Sequence, residues 1–311
     1  MKKNQEEITH GMEVKADASG SGAVNKFRVS DAVLMLIIII LCLTCILPFI
    51  HLAAKSISSN SYVLAQQVFL WPKGINFDAY GSILQDGSMT SSLVFTVGIT
   101  IVFTILGMVV CICAAYPLSK SRLKGRTVLT FMLMFPLYFS AGLIPAFLLY
   151  RDLGIYDTAW VLVLPLIYSP YNMLIMKSYL QSNIPISLEE SAFIDGGTNF
   201  QILWKVALPL SKPIIATLSL FYAVGRWNAY ADNLYFTRRD DLKMLQYRLY
   251  QLVASAREAQ AAGLAEGVTV TSTAETLHAA MIMFATLPIL LIYPFAQKYF
   301  VKGVMVGAVK G

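Results

Sequence analysis

The sequence predicts an all-α, polytopic membrane protein with six transmembrane helices and a helix–turn–helix loop between the fourth and fifth. Three observations carry that reading. The 311 residues are 57% hydrophobic and only 14% charged, with a mean hydropathy of +0.62, whereas average soluble domains are roughly 25% charged. The apolar residues are gathered into long runs of membrane-spanning length. Between two of these runs stands a polar, strongly patterned stretch, Ser187–Pro209, with its own helix signals.

Taken in order, residues 1–30 are polar, contain Gly and Ser and lack periodicity, so a disordered tail is expected. Ala32–Ile50 follows Lys26 and Arg28 and is long for a signal-peptide core, so it reads as an uncleaved first span. Turn formers (Trp71-Pro72-Lys73-Gly74) and interfacial aromatics come next. The second run, Thr90–Leu118, carries no charge and is followed by Lys120, Arg122, Lys124 and Arg126. The third, Thr127–Tyr150, contains Pro136 and Pro145, which membrane helices tolerate when neighbours satisfy the freed carbonyls. The fourth is Thr158–Met176. The fifth lies between Lys212 and Arg226, about fourteen residues or roughly 21 Å, so snorkelling at both ends is expected to close the gap. A long polar segment, 231–275, precedes the sixth run, Thr276–Gln297; within it Leu242–Ala256 is expected to form an amphipathic helix along the membrane face. A short tail, 299–311, ends the chain.

Lys and Arg placement sets the orientation. The cluster from Lys120 to Arg126, with Lys177, Lys205, Lys212 and the terminal lysines, falls on one side. Of the basic residues on the other side, Arg238, Arg239, Lys243, Arg248 and Arg257 lie in the long 231–275 segment, where charge counts for less. Both termini and Ser187–Pro209 are therefore expected in the cytoplasm and 231–275 outside. The positive balance records topology, which argues against nucleic-acid binding.

Within the patterned stretch, Ser187 with Glu190 and Thr198 with Gln201 both read as capping boxes. Two short helices broken at Gly196-Gly197 follow, the second with Phe200, Leu203 and Trp204 on one face. Ser191, Ala192, Gly196 and Gly197 are small enough for close approach, and Phe193 and Ile194 can fill a partner's pocket.

Several chemistries have no residues to support them. There is no G-x4-G-K-[S/T] phosphate loop, no H-E-x-x-H and no G-x-S-x-G. His10, His51 and His278 are scattered, so neither a catalytic nor a metal site is expected. Cys42, Cys45, Cys111 and Cys113 sit inside apolar runs and read as packing residues. Runs two to six hold no interior Asp or Glu, which lowers the reading as an ion-coupled secondary carrier.

The stretch resembles the EAA loop of ABC-importer permeases, E-A-A-x3-G-x9-I-x-L-P. The match is Glu190-Ser191-Ala192, Gly196, Val206, Leu208 and Pro209, with Ser for the middle Ala, Val for Ile, and Asp195 before the glycine as in carbohydrate importers. Together with six spans and the ending Phe300-Val301-Lys302-Gly303, the chain is similar to carbohydrate-uptake permeases. Gly225-Arg226-Trp227-Asn228 resembles the branch handling oligosaccharides and polysaccharide fragments. The resemblance implies an inner-membrane permease domain over 31–298, with Glu190, Ser191, Ala192, Phe193, Asp195, Gly196 and Gly197 coupling to an ATPase. It also implies the partners: a second permease in a heterodimer, two cytoplasmic ATPase subunits that bind ATP and Mg, and an extracytoplasmic solute-binding protein, all set in membrane lipid. This chain itself would carry no cofactor.

A substrate path is expected among Tyr138, Tyr168, Tyr171, Asn172, Trp227 and Asn228, whose aromatic faces and neutral polar groups suit sugars. Interfacial anchoring and helix–helix hydrogen bonding are the competing explanations for the same residues. Arg226 reads as a snorkelling anchor ahead of a ligand for an acidic sugar. The alternative function is a secondary transporter or channel acting without an ATPase.

Overall fold

Helix forms along the apolar runs, passing through some prolines, such as Pro48 and Pro117, and breaking near others. The computed structural model describes residues 29–85, 87–266 and 273–308, so the expected tail falls almost wholly outside the described residues. The chain divides into two compact units, residues 1–50 and 51–311. Helix α1 spans Val29–Ser56, and its apolar side chains from Val33 to Ile50 are almost all exposed. A helix apolar on every side belongs in lipid.

Short helices α2 (Asn60–Leu64) and α3 (Asp78–Gln85) lead to α4, Ser88–Ser119. With 32 residues α4 is about 48 Å long, so it projects beyond a ~30 Å hydrocarbon core. Its buried positions Met89, Ser92, Thr96, Ile99, Phe103, Gly107, Cys111, Ala115 and Leu118 recur every three or four residues, one stripe of a helix.

The third run is not one straight helix. Helix α5 (Arg126–Met134) passes into a 3₁₀ turn at Phe135–Leu137, and α6 (Leu143–Asp152) starts only after Gly142 at φ +88°. Pro136 removes one backbone donor where the helix tightens, and Gly142, at positive φ, is the non-helical residue from which α6 starts. The fourth run is broken too: 3₁₀ turns over 159–166 meet α7 (Pro170–Asn183) at 47°. Ser169 caps α7, its Oγ accepting from Asn172 N at 3.3 Å.

Helices α8 (Ile186–Ile194), α9 (Asn199–Ile202) and α10 (Leu208–Leu210) form the platform, with a π-helical turn at Leu203–Ala207. At Ser211 the chain turns through 82° into α11, Lys212–Asn228. Then come α12 (Ala231–Phe236), α13 (Leu245–Glu266) and α14 (Thr273–Ala308), the last running through the expected tail. Among the described residues, three helices are long and apolar enough to cross a membrane, or up to five when each bent pair counts as one span.

The core sits where α4 packs against α7 and α11. Ile214, Leu218, Tyr222 and Arg226 form the buried i, i+4 stripe of α11. Lipid is as apolar as leucine, so close packing has to hold such helices together. Gly107 supplies the contact: a Cβ there would lie 2.8 Å from the Tyr222 ring. The Phe103 ring meets Tyr222 edge-on at 5.8 Å.

The segment after α11 is tied to the bundle by polar contacts. Fully buried Asn233 donates to Leu242 O and Thr237 Oγ1, both at 2.8 Å, and accepts from Met244 N at 2.9 Å. Leu245 N donates to Thr96 Oγ1 on α4 at 2.8 Å. Helix α13 starts three residues later than expected and packs on protein: Leu245, Leu249 and Leu252 meet Ile83, Met89 and Met281.

Candidate functional site: the platform and the inner cavity

Platform helices α8 and α9 are joined by a turn that only glycine fits. Gly196 lies at φ +81°, and a Cβ on Gly197 would come 2.6 Å from Ala192 O. The Thr198 capping box is present in full: Thr198 Oγ1 accepts from Gln201 N at 3.3 Å, and Gln201 Oε1 accepts from Thr198 N at 2.9 Å. The Ser187 box is absent. Pro185, with φ fixed near −61°, occupies the N-cap, and the helix starts at Ile186 with no side-chain cap. Ser187 is thus already in the first turn, where its carbonyl accepts from Ser191 Oγ at 2.9 Å.

This shift changes the roles of the two neighbouring carboxylates. Glu190 is exposed, as are Ser191, Asp195 and Gly196, while Ala192, Phe193 and Gly197 are half-buried. Glu189 is buried and forms an ion pair with Lys120, the first residue after α4. Arg122 donates from Nη2 to Asn199 Oδ1 and lies over the Phe193 ring, 4.3 Å from its centroid. The basic turn after α4 therefore grips both α8 and α9. Lys120, Arg122, Arg126, Gln181, Glu190 and Phe193 are among the residues around a cavity of about 300 Å³ at this grip. Ile194, Phe200 and Trp204 remain exposed, the last two rings stacked at 6.3 Å.

A second cavity, about 190 Å³, opens in the bundle among Phe103, Ser169, Asn172, Phe221, Tyr222 and Arg226. Of the six residues expected on a substrate path, Asn172 lines it. Trp227 is buried on the other side, its Nε1 donating to Ala285 O of α14 at 3.3 Å. Tyr168 Oη donates to Leu133 O at 2.6 Å, and Asn228 Nδ2 to Val224 O at 3.0 Å. Tyr138 and Tyr171 are exposed.

Arg226 does not snorkel. It is 1% exposed, pairs with Asp232, and donates from Nη1 to Leu162 O at 2.8 Å. Met244 Sδ lies 3.1 Å from Nη2. A charge this deep persists only when neutralised and hydrogen-bonded, and Asp232, one helix further on, supplies both. Sequence reasoning missed this pair and the Lys120–Glu189 pair. Asp157, in the loop before the 3₁₀ turns, accepts from the backbone N–H groups of Arg238 and Arg239 at 2.7 and 3.0 Å, which holds its carboxyl below the usual range. Among the described residues no cluster of His, Cys, Asp or Glu could hold a metal.

A multi-pass helical bundle with an exposed helical platform braced at one end and a cavity in its core is the build of a transport permease. The chain belongs to the family of binding-protein-dependent transport system inner membrane components, whose model matches residues 107–306. It is similar to the polygalacturonan/rhamnogalacturonan transport system permease protein YtcP of Bacillus subtilis, 38% identical over 92% of this chain and 100% of that protein. The galactooligosaccharides transport system permease protein GanQ of the same organism is 28% identical over 85% of this chain and 90% of its own. Among solved structures, a bacterial ABC transporter involved in the import of the acidic polysaccharide alginate matches with a TM-score of 0.79 and 34% identity, over 89% of this chain and 98% of that one.

Proposed function

We propose that this chain is one of two permease subunits in an ABC importer that takes up an oligosaccharide, with polyuronate fragments as the first substrates to test. The similarity to permeases for polygalacturonan and alginate supports the substrate class. The platform carries the mechanism: its EAA-matching face, with Glu190, Asp195 and Ile194, is exposed on helices gripped by the α4 turn and continuous with α11. Such a platform docks on a cytoplasmic ATPase subunit, which holds the ATP and Mg; this chain contributes no nucleotide site of its own. Both termini face the cytoplasm, in keeping with the basic turn Lys120–Arg126 beside the platform. Residues 231–275 face outward and meet a solute-binding protein. Closure of the ATPases displaces the platform, tilts the bundle and opens the inner cavity alternately to each side.

Uptake of labelled oligogalacturonides by cells with and without this gene tests the reading. Loss of uptake on deletion, restored by the wild-type gene only when the ATPase is active, is the expected result. Uptake that persists in cells lacking the ATPase would instead make the chain a carrier or channel.

A further inference from the structure

Beside the grip, α5 and α7 face each other across polar side chains that neither the grip nor the platform uses. Helix α5 turns a half-buried stripe, Arg126, Thr130, Leu133 and Met134, toward the bundle. Lys177 of α7 donates from Nζ to Thr130 Oγ1 at 3.3 Å. One turn along each helix, Arg126 and Gln181 both line the cavity of about 300 Å³. Arg126 and Thr130 of α5 thus stand against Gln181 and Lys177 of α7 as a short polar ladder.

The ladder holds two positive charges and no counter-charge. Arg126 lies near enough to repel the Lys177 ammonium, and among the described residues neither forms an ion pair. Of the two carboxylates at the cavity, Glu189 is taken by Lys120 and Glu190 is exposed. Half-buried like charges are costly side by side, and an anion shared between them offsets the repulsion. Depth identifies the anion. The third apolar run begins at Thr127, just after Arg126, and the fourth ends at Met176, just before Lys177. Both cations therefore stand at one boundary of the hydrocarbon, where basic pockets between helices take lipid head groups. Val128, Phe131 and Met132 of α5 are exposed nearby and suit acyl chains.

We propose that Arg126 and Lys177 clamp the phosphate of one anionic phospholipid, which wedges between α5 and α7 and ties them together beside the grip. The clamp is separable from the import reading, because lipid retention is measured without transport. The purified complex is titrated with phosphatidylglycerol and, separately, phosphatidylcholine, and bound lipid is counted by native mass spectrometry. Wild type and Lys177→Arg should hold one phosphatidylglycerol alike. Lys177→Gln should weaken that affinity about tenfold, with Arg126→Gln as an independent second variant. Lys212→Gln, which removes an exposed charge at the foot of α11, should leave it unchanged. In nanodiscs, phosphatidylglycerol should slow hydrogen exchange over residues 126–137 in the wild type and in neither glutamine variant.

Unchanged affinity in both glutamine variants, at unaltered melting temperature, would overturn the clamp. So would equal affinity for the two lipids, or a loss in Lys212→Gln as large as in Lys177→Gln, which would mean a diffuse positive surface. Inorganic phosphate that slows the same exchange in phosphatidylcholine nanodiscs would assign the pair to a soluble anion and overturn the lipid.

Discussion

The ion pair between Lys120 and Glu189 offers the sharpest test of how the platform is held. The two side chains are 13% and 10% exposed, so the pair is mostly removed from water but not sealed. Exposed pairs contribute about 0–1 kcal/mol, and breaking a fully buried one costs about 3–5 kcal/mol. A value between these limits, about 2 kcal/mol, fits the burial and corresponds to roughly a thirtyfold shift in the equilibrium between gripped and released platform. Glu189→Gln keeps the shape and leaves the Lys120 ammonium without its counter-charge. In reconstituted transporter the expected outcome is faster basal ATP hydrolysis with several-fold less sugar moved per ATP. Lys120→Glu combined with Glu189→Lys should recover most of the coupling. The Ser187→Ala variant should behave as wild type, because Ser187 caps nothing. Failure of the charge swap in a complex that still assembles, or wild-type coupling in Glu189→Gln, would refute the grip as a coupling element.

Three further outcomes are expected. Gly197→Ala places a methyl group 2.6 Å from Ala192 O and should cost more than Gly196→Ala, whose strain is about 1–2 kcal/mol; detergent melting curves of the complex compare the two. Asp232→Asn leaves Arg226 buried beside a neutral partner and should destabilise by about 3–5 kcal/mol, read as loss of monodisperse protein in size-exclusion chromatography. In the segment before α13, Arg248 and Lys243 pull the Asp240 carboxyl down to about 2. A depressed carboxylate stabilises fully above its unfolded value of about 3.9 and progressively less as pH falls through the folded one, so exchange protection around 240–248 should hold down to about pH 4 and fade below. Protection that fades near pH 6 would point to another group.

The platform's local logic was legible because it is local. Thr198 and Gln201 are three residues apart, and the glycine turn precedes them directly. The Ser187 box failed on an equally local competitor, the proline two residues earlier, which starts the helix ahead of the serine. The tertiary grip was not legible: Lys120 and Glu189 are 69 residues apart, and Arg122 and Asn199 are 77 apart. In the sequence those cations carry only a topology signal. Arg226 was misread for a related reason. A charge near a helix end ordinarily reaches for water, and nothing in the sequence reveals that Asp232 and the Leu162 carbonyl wait inside. The breaks within the third and fourth runs were not legible either, because apolarity measures preference for lipid and says little about straightness.

The sharp corner at Ser211 has a mechanical consequence. The platform lies across the foot of α11 like the handle of a crank, with only this buried residue between handle and shaft. The shaft has 17 residues, so it is roughly 25 Å long. A sideways push that swings it by about 10° carries its far end through about 4 Å, on that same length. That end holds Arg226, and through it the 3₁₀ turn at Leu162 and the Asp232 helix, so a small stroke at the platform arrives at the far end of the shaft as a displacement of several ångströms.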